Sequence, residues 1–226
     1  MSSTQTSPAY GSRFKNIATA QKYADRFERP THRHINRREQ RAVARILSEL
    51  KDVSTILDMP SGAGRFLLTL VGEKRTILEM DISHEMISLG YERVVTHSIQ
   101  TKVHFAQGSA FQLPLADGSI DCIFCNRLLH HFKDGNDRLK LLAELHRVAK
   151  RNVIVSFFDY HRFGKLRVLL KKLRGRSPDY SGYPTKEAFE SELGRVGFKV
   201  DRIEPTGPPW VAQVYYLLQK LPWRCR

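Results

Sequence analysis

The stretch TILDMPSGAGRF, residues 55–66, describes a strand that stops in a turn and restarts as a helix. Its first three residues favour a strand, and Asp58 closes that strand. Gly62 and Gly64 let a ligand approach the backbone of the turn, and a helix is predicted to begin near Arg65. A strand, a turn and a helix N-terminus in this order recruit the polar or anionic groups of a nucleotide-like ligand.

A second strand, TILEMDIS at 76–83, ends in acidic residues. Asp81 follows the glycines by about twenty residues, which is where a ribose-binding carboxylate is expected. A carboxylate suits both ribose hydroxyls because it has two acceptor oxygens. Glu79 is the competing candidate, since it projects from the same face of the strand two residues earlier.

Four motifs occur in an order that resembles the class I S-adenosylmethionine (SAM)-dependent methyltransferases. LDMPSGAGRF resembles the first motif of that family and ILEMDISHEMI its second. QGSAFQLPLADGSIDCIFCNRLLHHF resembles the stretch that encloses the adenine and leads into the fourth strand, and ELHRVAKRNVIVSFF resembles helix D and strand five. The resemblance covers roughly residues 40–160 and is closest to the broad group that includes ubiquinone and menaquinone biosynthesis methyltransferases.

Strands and helices alternate along the chain, which indicates an α/β protein whose parallel sheet is covered on both faces. The resemblance implies a Rossmann-like class I methyltransferase fold, with a mostly parallel seven-stranded sheet and a final antiparallel strand pair. The strands are expected at 54–58, 76–81, 102–106, 120–125 and 152–158, with KVDRIEP and WVAQVYYLL as the last pair. Helices are expected from 64, from 84, over 135–149, and from Thr185 to Gly197.

The chain is predicted to form one methyltransferase domain over residues 13–226, preceded by a disordered tail at 1–12. Two N-terminal helices within 13–51 and a basic insertion at 160–184 are expected to form a lid over the methyl acceptor. The segment 161–176 combines an apolar stripe with many basic residues. It has three open interpretations, namely a solvated face, a surface for RNA phosphates, or a helix lying on anionic lipid.

The formal net charge of +14 implies attraction to polyanions, anionic lipid headgroups or acidic substrates. No apolar run has the length that spans a bilayer, and the start of the chain lacks the apolar core of a signal peptide. The expected location is therefore cytoplasmic, with peripheral association at the inner face of the cell membrane through 161–176. Cys122 and Cys125 are spelled C-x-x-C, but in a strand they point to opposite faces. No metal site is predicted, because the histidines form no ligand-spaced set.

The resemblance implies that SAM is the cofactor and assigns roles to particular residues. Gly62 and Gly64 would face its methionine part, and Asp58 its ammonium group. Matching EMDIS to the family pattern favours Asp81 over Glu79 for the ribose. Pro60 stands where the commoner family spelling has glycine, and Ser109 where it often has Asp beside the adenine. The predicted cofactor-binding set is Asp58, Pro60, Gly62, Gly64, Arg65, Asp81, Ile82, Ser109, Ala110, Phe111 and Asn126.

A general base is needed only when the acceptor is an oxygen or an acidic carbon that loses a proton. His130 and His131 are the predicted catalytic residues, since imidazole titrates near neutral pH. The alternative is that one packs under the cofactor and the other caps a helix. The sequence after strand four lacks the Asn/Asp-Pro-Pro-aromatic motif of adenine-amino methyltransferases, and no Pro-Cys or Thr-Cys is present for cytosine chemistry.

The predicted function is methyl transfer from SAM to an O, N or C atom of a small or lipid-linked acceptor. One alternative is a catalytically silent SAM-binding scaffold, which Pro60 and Ser109 permit, and another is a methyltransferase acting on RNA. A third, an NAD-dependent oxidoreductase, is disfavoured because Leu67 stands where G-x-G-x-x-G has its third glycine. Isothermal titration with SAM separates cofactor binders from the rest.

Overall fold

The computed structural model of the chain describes residues 16–161 and 182–222. The predicted tail at 1–12 and most of the predicted insertion at 160–184 lie outside these residues. The basic segment 161–176 is described only at His161, so its three interpretations remain open.

The described residues form one seven-stranded sheet with the order β3-β2-β1-β4-β5-β7-β6. The first five strands of that order are parallel, and β7 runs antiparallel to both β5 and β6. The predicted fold class is therefore confirmed, with the last strand inserted between β5 and β6. The strands are β1 (Thr55–Asp58), β2 (Thr76–Asp81), β3 (Val103–Gln107), β4 (Ile120–Cys125), β5 (Ala149–Phe158), β6 (Phe198–Pro205) and β7 (Gln213–Lys220).

The helices differ from the sequence prediction mainly at the glycine turn. The helix predicted near Arg65 begins only at Leu67 and is four residues long, since Gly62 and Gly64 both take positive φ angles that no helix continues through. The helices are α1 (Ile17–Asp25), α2 (Pro30–Glu49), α3 (Leu67–Leu70), α4 (His84–Thr96), α5 (Gly135–Val148) and α6 (Lys186–Val196). The predicted bounds of α6 are confirmed, because Thr185 caps its start and Gly197 (φ 95°) ends it.

The sheet separates two apolar cores. One contains Cys125 with side chains of α5 and α6, and the other contains Cys122 with side chains of α2 and α3. The two cysteines therefore point to opposite faces, as predicted, and burial raises the pKa of the Cys122 thiol to about 12. Both are packing residues.

The strand order reverses between β1 and β4, which are neighbours although β2 and β3 intervene in the chain. In an open α/β sheet such a reversal opens a crevice at the carboxyl ends of the two strands. Asp58 ends β1 and Asn126 follows β4, so both lie at that crevice.

Candidate active site

A cavity lies at this crevice, between the carboxyl ends of β1, β2 and β4 and the side chains of α1. Seven of the predicted cofactor-binding residues line it, namely Asp58, Pro60, Gly62, Arg65, Asp81, Ile82 and Asn126. The remaining lining includes residues that sequence reasoning did not single out, among them Tyr23, Phe27, Arg93 and Arg127. The cavity therefore joins the glycine turn, the end of β2 and the first helix.

The two glycines of the turn lie in different environments. Gly62 has φ +56°, and a Cβ atom there would meet no protein atom within 4 Å, so the space beside it is open. Gly64 has φ +66° and packs on the backbone of α4, where its Cβ would lie 3.5 Å from Gly90 Cα. The structure thus places Gly62 on the cavity and Gly64 against α4.

Asp81 closes the turn and reaches the cavity. Its Oδ2 accepts a hydrogen bond from Gly62 N at 2.9 Å, and its Oδ1 accepts one from Ser83 N at 2.9 Å. Burial raises the pKa of Asp81, while these two N–H groups oppose the rise. Only 6% of the residue is exposed. The carboxylate is therefore held in a fixed orientation at the end of β2.

Two further carboxyl groups lie beneath the cavity. Asp58 pairs in register with Glu79 on the neighbouring strand, so both project from the same face of the sheet. Burial first, and the neighbouring Glu79 second, raise the pKa of Asp58 well above its ordinary value. Burial and the charge of Asp81 raise the pKa of Glu79 to about 8. Of the two candidates on β2, Asp81 lines the cavity and Glu79 does not, which separates them by position.

A buried glutamate joins two arginines at the cavity wall. Glu39, on α2 and 1% exposed, pairs through Oε2 with Arg65 at 2.6 Å and through Oε1 with Arg127. The two guanidinium groups also lie over the ring of Phe27, at 4.2 Å for Arg65 and 5.4 Å for Arg127. The cluster ties the glycine turn, α2 and the end of β4 together.

The sequence carried one signal for this cluster. Glu39 lies three residues before the buried Ala42 and seven before the buried Ile46, so it occupies the apolar face of α2. An acid on such a face is buried only when it is paired. Its partners are distant in sequence, and no local pattern identifies them.

The residues after β4 are fixed by hydrogen bonds from β5 and β7. Tyr215 donates its hydroxyl to Asn126 Oδ1 at 3.1 Å, and the backbone N–H of Arg127 donates to Ser156 Oγ at 2.6 Å. Arg127 has φ 55°, a left-handed conformation that a residue with a long side chain adopts under external constraint. These contacts aim its guanidinium at Glu39.

Three predicted adenine-side residues follow β3. Ser109 Oγ accepts a hydrogen bond from Phe111 N at 3.3 Å, Ala110 is buried, and the Phe111 ring meets Phe132 edge-on at 5.1 Å. They are not among the residues that line the cavity. Their predicted contact with the adenine therefore stays a prediction.

The two predicted catalytic histidines lie on the short 3-10 turn Leu129–His131, and neither is among the residues that line the cavity. The His130 ring lies 4.9 Å from Phe158 and 4.0 Å from His131. Burial, followed by the charges of His131 and Arg127, lowers the pKa of His130 to about 3. His130 is therefore a weak base in this structure.

An aromatic row continues outward from this turn. Phe158 stacks on Tyr160 at 5.6 Å, and Tyr160 meets Tyr183 edge-on at 4.8 Å. Arg127 lies over the inner end of the row, 5.3 Å from the Phe158 ring centroid. The row thus begins next to Arg127, which lines the cavity.

Among residues 16–161 and 182–222, no cluster of three or more His, Cys, Asp or Glu side chains is placed to hold a metal ion. Within the same residues, every helix is too short or too polar to cross a bilayer.

Comparison with known proteins supplies the identity. Residues 57–157 match the family model described as a methyltransferase domain, a stretch that holds the glycine turn, Asp81 and the histidine pair. The chain is a SAM-dependent methyltransferase that resembles the class I family. The predicted family, cofactor and enzyme class are thereby confirmed.

Curated relatives share this methyltransferase domain at low identity. The ubiquinone/menaquinone biosynthesis C-methyltransferase UbiE of Legionella pneumophila is 24% identical over 174 residues, covering 68% of this chain and 70% of the relative. The protein of the same name from Citrifermentans bemidjiense is 28% identical over 206 residues, covering 80% of this chain and 85% of the relative. Both matches extend beyond the domain of 57–157.

A solved methyltransferase shares the fold. The magnesium protoporphyrin IX methyltransferase ChlM of Synechocystis PCC 6803, crystallised with S-adenosylhomocysteine (SAH), has a TM-score of 0.67 and 18% identity over 85% of this chain and 88% of its own. Its structure with SAM has a TM-score of 0.68.

The residues of the cavity fit SAM. The open space beside Gly62 allows close approach to the backbone, and the Asp81 carboxylate reaches the same space. Asp58 Oδ1 is buried without a hydrogen-bond partner among the described residues, as suits an acceptor reserved for a ligand's ammonium group.

Proposed function

We propose that this methyltransferase acts on an O, N or C atom of a small or lipid-linked acceptor that enters along the aromatic row. The observation that carries the proposal is the row of Phe158, Tyr160 and Tyr183, which starts beneath Arg127 of the cavity wall. Partly buried rings of this kind suit an acceptor with planar or apolar surface.

In this proposal the predicted cofactor residues divide the work. Asp81 binds the ribose hydroxyls, Asp58 the ammonium group, and Gly62 makes room for the methionine part. Bound SAM supplies a methyl group on a sulfonium, which is an electrophile toward an aligned nucleophile. The chain contributes alignment of the reactants and exclusion of water. Tyr23 on α1 and Phe27 just after that helix line the cavity and serve this purpose.

Proton removal enters only for an oxygen or acidic-carbon acceptor. The lowered pKa of His130 argues for packing against Phe158 rather than for general base catalysis. His131 is exposed beside it and is the base that we propose for such an acceptor.

The remaining sequence predictions enter the proposal as they stand. The N-terminal helices within 13–51 and the segment 160–184 form the acceptor lid of a single domain over 13–226. The location is cytoplasmic, with peripheral association at the inner face of the cell membrane. The net charge of +14 supports contact with an anionic surface.

An RNA substrate is the second candidate, and one observation favours it. Arg33, Arg37 and Arg41 are exposed at four-residue spacing along α2, which gives one face of that helix a row of positive charge.

Two glycine variants test the cofactor site. Gly62 and Gly118 have φ +56° and +58°, and a Cβ at either meets no protein atom within 4 Å. Alanine therefore costs each turn about the same, roughly 1 kcal/mol. We expect Gly62→Ala to weaken SAH binding by calorimetry about tenfold or more, because the new methyl group enters the ligand's space, and Gly118→Ala to keep it. Equal SAH affinities in the two variants would remove Gly62 from the site.

Transfer of a labelled methyl group from SAM into cell-extract fractions tests the acceptor. Label in the lipid or small-molecule fraction supports the proposal, whereas label that stays in RNA after protein removal supports the second candidate. SAH binding with no label in any fraction would favour the catalytically silent scaffold.

A further inference from the structure

We propose that Arg127 is the anion-recognition residue of this enzyme and that its methyl acceptor is an acid, whose carboxylate it holds beside the aromatic row. This inference rests on the proposed function and narrows its acceptor class.

The charge of the cluster is the first step. Two guanidinium groups, of Arg65 and Arg127, share the single carboxylate of Glu39. Their other hydrogen-bond partners are neutral, since Arg65 donates to Asn36 Oδ1 at 2.9 Å and Arg127 to Gln213 Oε1 at 2.9 Å. Among these three side chains one positive charge is left over, and in this partly buried position it attracts an anion more strongly than it would in water.

Arg127 has donor capacity left for a ligand at the cavity. Its side chain is 24% exposed, and it lines the cavity. Its Nε is buried without a hydrogen-bond partner among the described residues. Its Nη2 already donates to Glu39 and Gln213, so a carboxylate would be bound through Nη1, which donates no hydrogen bond among the described residues. The residue keeps a left-handed backbone, tied to Ser156 Oγ, that holds the group in place.

The position of the two arginines assigns them to different ligands. Arg65 lies over Phe66 at 4.3 Å, and its charge acts on Asp58, so it belongs to the side of the glycine turn. Arg127 lies over Phe158, and its charge reaches His130. The carboxylate near Arg127 is therefore that of the acceptor, while Arg65 remains for the carboxylate of the cofactor's methionine part.

Small probes test the inference on the SAH complex of the full chain. Benzoate presents a carboxylate on a ring, and benzamide has the same shape without charge. By calorimetry we expect benzoate to bind the SAH complex at least about tenfold more tightly than benzamide. Arg127→Met should abolish that preference, Arg127→Lys should keep part of it, and Arg195→Met, at an exposed position on α6, should leave it intact.

A second comparison separates the two sources of a carboxylate. 5′-Methylthioadenosine lacks the amino acid part of SAH, so a residue that holds the cofactor's carboxylate affects SAH binding and spares methylthioadenosine binding. We expect Arg127→Met to leave both affinities within about threefold.

Three results would overturn the inference. They are equal binding of benzoate and benzamide, an undiminished benzoate preference in Arg127→Met, and a selective loss of SAH affinity in that variant. If the unaltered protein binds SAH throughout, the methyltransferase assignment survives each of them. A failure of SAH binding in the unaltered protein would instead count against the proposed cofactor site.

Discussion

Asp58 and Glu79 lie side by side, in register, on the parallel strands β1 and β2, and both are buried. Two carboxyl groups so placed cannot both be ionised without a large cost, because burial and mutual repulsion each favour the protonated form. The base of the cavity therefore holds a proton near neutral pH.

The stored proton makes stability depend on pH. The pKa of Glu79 is raised to about 8, so between about pH 4.5 and 8 the native state holds a proton that the unfolded state has released. Stability consequently falls as the pH rises through this window. Relative to the unaltered protein, we expect the free energy of unfolding of Glu79→Gln to rise by roughly 1–2 kcal/mol as the pH goes from 5 to 7.5, measured by urea unfolding. Glu92→Gln, at an exposed site on α4, should show no such rise. If the stability of Glu79→Gln varied with pH in parallel with that of the unaltered protein, the raised pKa of Glu79 would be contradicted.

His130 should make stability depend on pH in the opposite direction. Its pKa is lowered to about 3, so between about pH 3 and 6.5 the unfolded state carries the extra proton and stability is lost as the pH falls. His130→Phe keeps a ring beside Phe158 without this titration. We expect it to be more stable than the unaltered protein by roughly 1–2 kcal/mol at pH 5, in thermal and urea unfolding. His104→Phe, at an exposed position on β3, is the control, and an equal gain there would refute the explanation.

Replacement of Asp81 should lower the affinity for the cofactor. Replacing it with alanine removes a charged acceptor from the cavity and the hydrogen bond that holds Gly62. We expect SAH binding to weaken about 10- to 100-fold in calorimetry, and Asp81→Asn to lie between that variant and the unaltered protein. Asp201→Ala, exposed on β6, controls for charge removal. A folded Asp81→Ala protein with unchanged SAH affinity would defeat the ribose assignment.

Breaking the ion pair of Arg138 and Glu192 should cost much stability. Arg138 Nε and Nη2 reach the two Glu192 oxygens at 2.9 and 2.5 Å, and the pair is buried between α5 and α6. Arg138→Met leaves a buried carboxylate unpaired, which costs about 3–5 kcal/mol in the free energy of unfolding. Lys140→Met breaks only the exposed pair with Asp137 and should cost less than about 1 kcal/mol. Urea unfolding measures both, and similar losses would contradict the burial argument.

Local chemistry explains which elements were predictable. The bounds of β2 and β4 follow from apolar runs that end in polar residues, and α6 follows from its Thr185 cap and Gly197 terminus. The start of α3 was predicted too early, because the turn uses two positive φ angles that the sequence permits without requiring.

Part of the cavity lining was predictable for a related reason. Asp58, Gly62 and Asp81 each stand next to a strand end, and the ends of parallel strands meet at one edge of the sheet. No local sequence pattern identified Arg127 as a cavity residue, because its partner Glu39 is 88 residues away.

The sequence by itself determined the alternating α/β order, the glycine turn and the acidic ends of the first two strands, since each depends on neighbours within a few residues. Only the tertiary structure decided which carboxyl groups are buried together, which arginines share Glu39, and that β7 lies between β5 and β6 to bring Tyr215 to Asn126. The physical reason is that pairing, desolvation and electrostatic repulsion depend on distances in space, which chain order does not contain.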